Sequence, residues 1–186
     1  MFSILNKLVT GIKGGVKSSL EGVSDIGGAI VGTVRDTVTE TVSQGGDLIS
    51  QGVNGAASVV KGAIDGVSTV GTVTVESVQK VVRGTVEGFM KEDGDQKDAI
   101  HGAVGQAVHS AKELGINIGD TAVEAIKGAV SAVGSVGGDT AEATTQAVKG
   151  ALTAAKEISE EAFESVEESV TSGVEGAEKI VEQFKK

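Results

Sequence analysis

The chain has 186 residues, 39% of them hydrophobic and 2% aromatic, with 28 Gly and no Pro, Cys, Trp or Tyr. So few aromatics leave any core to Val, Ile, Leu and Ala, and the lack of Cys excludes a disulfide framework, a thiolate nucleophile and a Cys-ligated metal. The net charge of −10 argues against nucleic-acid binding, which needs a basic stripe.

The first twenty residues, "MFSILNKLVTGIKGGVKSSL", carry Lys7, Lys13 and Lys17 and no acid. On a helical wheel Phe2, Leu5, Leu8, Val9, Ile12, Val16 and Leu20 share one side, and the three lysines reach outward. This is the pattern of an amphipathic helix lying on an anionic surface; the alternative is a helix docked on the rest of the protein. Asn6 and Lys7 interrupt the apolar stretch and no basic region precedes it, so it does not read as a signal peptide. No apolar run reaches the roughly 18 residues of a spanning helix.

From here a period of eleven runs through the chain. Counted from Leu5 in steps of eleven, Val16, Val38, Ile49, Val60, Val82, Val104, Ile126, Val148 and Val170 are apolar while Gly27, Gly71, Gly115 and Gly137 stand in the same row, and further apolar rows lie four and seven residues on. Eleven residues make three turns of roughly 3.67 residues, which predicts helix with straight or right-handed winding. The segments "VVKGAIDGV" at Val59 and "VVRGTVEGF" at Val81 repeat at twenty-two residues, and "AIKGAVSAV" and "AVKGALTAA" continue the series. In each copy the wheel has a branched apolar sector, a sector of very small residues and a charged sector. Gly62, Gly66, Gly84, Gly88, Gly128 and Gly150 form the small sector, where another backbone can approach closely. Each interior Gly costs about 1 kcal/mol against Ala. Such helices are weak alone and need a covering surface.

Breaks are expected at Gly14-Gly15, Gly27-Gly28, Gly45-Gly46 and Gly137-Gly138. "TVGTVTVESV", residues 69–78, alternates and is rich in β-branched residues, so it admits a strand. The repeat fails at "KEDGDQKD", where Asp93 and Lys97 fall in apolar rows. The reading is therefore an N-terminal helical arm (1–90), a hinge or loop (91–98) and a C-terminal helical arm (99–186), each arm up to about 130 Å if unbroken. The fold class is all-α: long amphipathic helices in an elongated hairpin or bundle, with disorder of the unbound chain as the alternative.

No residues assemble a catalytic, metal or cofactor site, and no small-molecule substrate is implied. His101 and His109 read as surface histidines. From Glu157 onward nine Glu face three Lys; Glu160, Glu161, Glu164, Glu167 and Glu168 read as a solvated helix face without calcium-loop spacing.

"VRDTVTETVSQGG", "GVNGAASVVKGAIDGVSTV" and "AVKGALTAAKE" resemble the eleven-residue amphipathic repeats of the perilipin and synuclein proteins and, more distantly, those of late-embryogenesis-abundant proteins. The Lys-Thr-Lys-Glu-Gly-Val core of synuclein is absent; only "VKG" and "VEG" echo it. The resemblance implies helices that are disordered in water and form on membranes or lipid droplets. The expectation is a non-enzymatic, cytoplasmic protein peripheral to a lipid surface. A self-associating bundle or filament and a stress-protective role are the alternatives.

Overall fold

Short polar side chains set most helix starts, because an unpaired N-terminal amide needs an acceptor. In the computed structural model, which describes residues 2–186 apart from the Phe2 side chain, Asp25 accepts from the Gly28 amide, Thr74 from Ser77, Asp95 from Asp98 and Asn117 from Asp120. Asp139 accepts from Ala141 and Glu142, and Ser159 from Ala162. Asp95, Asn117 and Asp139 are 22 residues apart, one helix and its turn each time.

The described residues form nine helices and no strand: α1 (Phe2–Leu20), α2 (Ile26–Ser43), α3 (Gly52–Val70), α4 (Val75–Lys91), α5 (Gln96–Leu114), α6 (Ile118–Ser135), α7 (Thr140–Ile158), α8 (Glu160–Gly173) and α9 (Ala177–Phe184). The longest have 19 residues, about 28 Å, far short of an unbroken arm. The region with strand-like alternation holds the end of α3, a turn and the start of α4, where Thr74 and Ser77 close a reciprocal capping box.

Two of the expected breaks are corrected. Helix α1 runs straight through Gly14-Gly15, and α2 begins one residue before Gly27-Gly28. Packing of Ile12, Val16 and Leu20 outweighs the helix-weakening effect of the glycines. The other two lie in turns, and Gly137 has the left-handed φ of +79° that ends α6. Between α4 and α5, Asp93 takes φ +58° and the Gly94 amide donates to the Phe89 carbonyl at 2.7 Å. Helices on either side of this turn touch, α3 on α5 and α4 on α6.

The packing order is alternate. In one layer α1, α3, α5, α7 and α9 follow each other; in the other, α2, α4, α6 and α8. Consecutive helices pair across the layers as antiparallel hairpins. Helices α3, α5 and α7 begin at Gly52, Gln96 and Thr140, 44 residues apart each time, so a layer advances once every two helices. The core between the layers is largely Val and Ala, with Phe89 its largest fully buried side chain. Among the described residues no buried side-chain nitrogen or oxygen lacks a hydrogen-bond partner. Buried Thr85, for example, donates to the Val81 carbonyl at 2.9 Å.

Candidate contact surfaces

The small-residue sector lies where helices of one layer cross. A Cβ on Gly62 would stand 2.6 Å from the Val9 carbonyl oxygen and 2.9 Å from the Ile12 Cβ, so only a glycine lets α3 lie this close to α1. Gly66 faces the Lys13 carbonyl and Val16 in the same way. In the second layer Gly84 meets the Val31 carbonyl, again at 2.6 Å, and Gly88 meets Val38, joining α4 to α2. Gly128 lies against the Gln79 carbonyl, joining α6 to α4; Gly150 of α7 also faces the His101 backbone of α5, but a Cβ there would stand 3.4 Å from the His101 Cα, an ordinary contact, so this crossing does not require glycine. Gly102, facing the Val53 carbonyl, and Gly119, facing Ser165 and Ser169, do the same work as Gly62 and were not singled out by the repeat. Gly102 is four residues out of its register, and Gly119 sits at the start of its helix.

The residues expected to face lipid are divided by the packing. Ile12, Val16 and Leu20 are fully buried, and Leu5, Leu8 and Val9 half-buried. The Phe2 side chain lies outside the described residues. Lys7 and Lys17 are exposed and Lys13 is half-buried; Lys17 approaches Glu21 at 3.6 Å. An open groove of about 310 Å³ runs between α1 and α2, lined among others by Lys7, Leu8, Gly11, Thr37 and Glu40. On the far side of α1 from Val9, a Cβ at Gly11 or Gly14 would meet nothing within 4 Å.

Ion pairs tie neighbours within a layer. Lys61 on α3 donates to Glu113 on α5 at 2.8 Å and lies 3.3 Å from Asp65. The hydrogen bond to Glu113 holds the Lys61 ammonium above its ordinary pKa of 10.5, against the opposing effect of burial. Glu87 on α4 is buried; it accepts from Arg83 at 2.9 Å and from Ser135 on α6 at 3.0 Å, and Arg35 on α2 lies 3.7 Å away. One carboxylate thus links three helices. Sequence reasoning missed it, although the spacing of Arg83 and Glu87 signals a helical ion pair.

His101 and His109 border a second open groove, floored by Gly102, Gly105 and Gly150. Burial, then Lys97, lower the His101 pKa below 6.5; Asp98 opposes this and Lys149 adds to it. His109 Nε2 sits 3.2 Å from Glu157. Among the described residues no three His, Cys, Asp or Glu side chains gather as a metal site, and no helix is long and apolar enough to cross a membrane. Of the C-terminal acids, Glu160, Glu161, Glu164 and Glu168 are exposed, while Glu167 accepts from Lys185 at 2.6 Å. Phe163 on α8 and Phe184 on α9 stack with centroids 6.1 Å apart and close that end of the molecule. Neither protein-family models nor curated proteins yield a match to this chain.

Proposed function

We propose that the protein is a non-enzymatic helical scaffold of α-solenoid type, built from 22-residue helix-and-turn units, and that it binds an anionic lipid surface through α1. The observation that carries this reading is the character of α1. It is the one helix of the nine with lysines and no acid, and it ends its layer with a same-layer neighbour on one side only. This is the perilipin- or synuclein-like use of an eleven-residue repeat, restricted to one helix, in a protein peripheral to a membrane on its cytoplasmic side.

The energetics favour a salt-dependent exchange. Ile12, Val16 and Leu20 are already out of water, so they add no new hydrophobic burial on binding, and uncovering the α3 face they pack on opposes it. Attraction of Lys7, Lys13 and Lys17 to the leaflet is the favourable term. At roughly 1 kcal/mol per lysine, three are worth about two powers of ten in affinity. The test is flotation with vesicles containing phosphatidylserine. Binding is expected at low salt, falls at about 0.5 M salt, fails on phosphatidylcholine alone, and drops about 100-fold when the three lysines become Gln. A protein that stays off anionic vesicles at low salt refutes the reading.

A second reading, self-association, is favoured by the open side of α1 at Gly14. Gly62 and Gly66, on the side of α3 that faces the preceding helix of its layer, are covered by α1. At Gly14 a second copy takes that place, and sedimentation would show a concentration-dependent oligomer.

A further inference from the structure

Helix α1 uses the same side chains for two purposes. Ile12 and Val16 sit over Gly62 and Gly66, with their Cβ atoms 2.9 and 3.1 Å from where Cβ atoms of those glycines would be. Ile12, Val16 and Leu20 are also the centre of the face that an acyl layer would take up. Both contacts cannot exist at once. Helix α3 is held from its other side by α5 and by the Lys61–Glu113 pair, so it stays in place when α1 leaves. Helix α1 has no such second support. Apart from α3 it touches α2, where the methyl of Thr37 lies 3.1 Å from the Cβ position of Gly15. The link from α1 to α2 contains Gly22 at φ +78°, a backbone conformation that glycine adopts and leaves without steric cost.

We propose that α1 is a latch: docked on α3 it conceals the apolar face, and released about the residue 21–25 turn it presents that face to an anionic phospholipid surface. The proposal rests on the lipid-binding reading and adds that binding requires release. The docked state lowers the apparent affinity by the fraction of molecules that are undocked. The close crossing at Gly62 and Gly66 sets that fraction, because it gives α1 its contact with the α3 backbone.

The absence of Cys makes the test direct. In Gly15→Cys/Thr37→Cys the two Cβ atoms come within disulfide reach, and oxidation ties α1 to α2 while α2 remains seated on α4. The same preparation is assayed oxidised and reduced, by flotation with phosphatidylserine-containing vesicles. The reduced form binds as the wild type does, and the oxidised form binds at least tenfold more weakly. A second variant, Gly62→Val, pushes α1 away and binds at least tenfold more tightly, with the circular dichroism of the remaining helices kept. If oxidised and reduced forms bind equally, the latch is wrong and the lipid reading survives. If the wild type, the reduced pair and Gly62→Val all fail to float, the lipid reading fails and the latch with it.

Discussion

Alanine in place of glycine should have opposite effects at Gly14 and Gly62, although both are interior helix positions. The local term is the same: Ala is favoured over Gly by about 1 kcal/mol, partly through the unfolded chain. At Gly14 a Cβ meets nothing within 4 Å, so the whole gain is kept. A protein of this size should gain about 2–4 °C in Tm. At Gly62 the new Cβ would stand 2.6 Å from the Val9 carbonyl oxygen and 2.9 Å from the Ile12 Cβ. A carbonyl cannot rotate out of the way as a side-chain tip can, so α1 must shift. Overpacking of this kind costs about 1–3 kcal/mol, enough to cancel or exceed the gain. Gly84 repeats the case in the other layer, with the Val31 carbonyl at 2.6 Å. Thermal and urea unfolding of Gly14→Ala, Gly62→Ala and Gly84→Ala, followed by circular dichroism, measure the difference. The expected order is Gly14→Ala above wild type, with the other two at or below it. If Gly62→Ala and Gly84→Ala gain as much as Gly14→Ala, the glycines are not at close crossings and the layer packing described above is wrong.

Glu87→Ala should cost about 1–3 kcal/mol in urea unfolding, since it removes the acceptor of the Arg83 and Ser135 hydrogen bonds and the charge beside Arg35. Glu87→Gln, which keeps an acceptor for Ser135, should cost less, because Arg35 and Arg83 are partly exposed and can turn to water. His101 predicts an acid-side loss of stability. Its folded pKa is below the unfolded 6.5, so the unfolded chain binds more protons in the interval between. The contribution of the neutral ring is complete above pH 6.5 and declines as pH falls below it. His101→Gln should flatten that part of the stability–pH curve, and an unchanged curve would mean that the ring is not desolvated.

Much of the helix content was legible, because Val60, Val82, Ile126 and Val148 with their paired small residues hold a helical period over long stretches. The turns were legible in part. Gly45-Gly46 and Gly137-Gly138 mark turns, but Gly14-Gly15 does not, since tertiary contacts of Ile12 and Val16 carry α1 through it. The better boundary signal was the capping residues Asp95, Asn117 and Asp139, whose spacing equals one helix and turn. What covers the apolar face could not be read. A Val-rich arc has the same pattern whether a neighbouring helix or a lipid lies on it, and the burial of Ile12, Val16 and Leu20 depends on α3, some fifty residues away. The alternate order of the layers is non-local in the same sense. The period shows that each helix has a partner but not that the partner is two helices along. Glu87 was hidden for a related reason: its charge falls at a position that only the approach of α2 and α6 encloses.

These helices cover one another within a single chain, without lipid. Hydrogen exchange of the lipid-free monomer in dilute buffer tests this most directly. Slow exchange is expected through α3–α7, governed by global unfolding, with α1 opening at lower free energy. Amides that exchange at unfolded-chain rates throughout, and become protected only when vesicles are added, would contradict this packing.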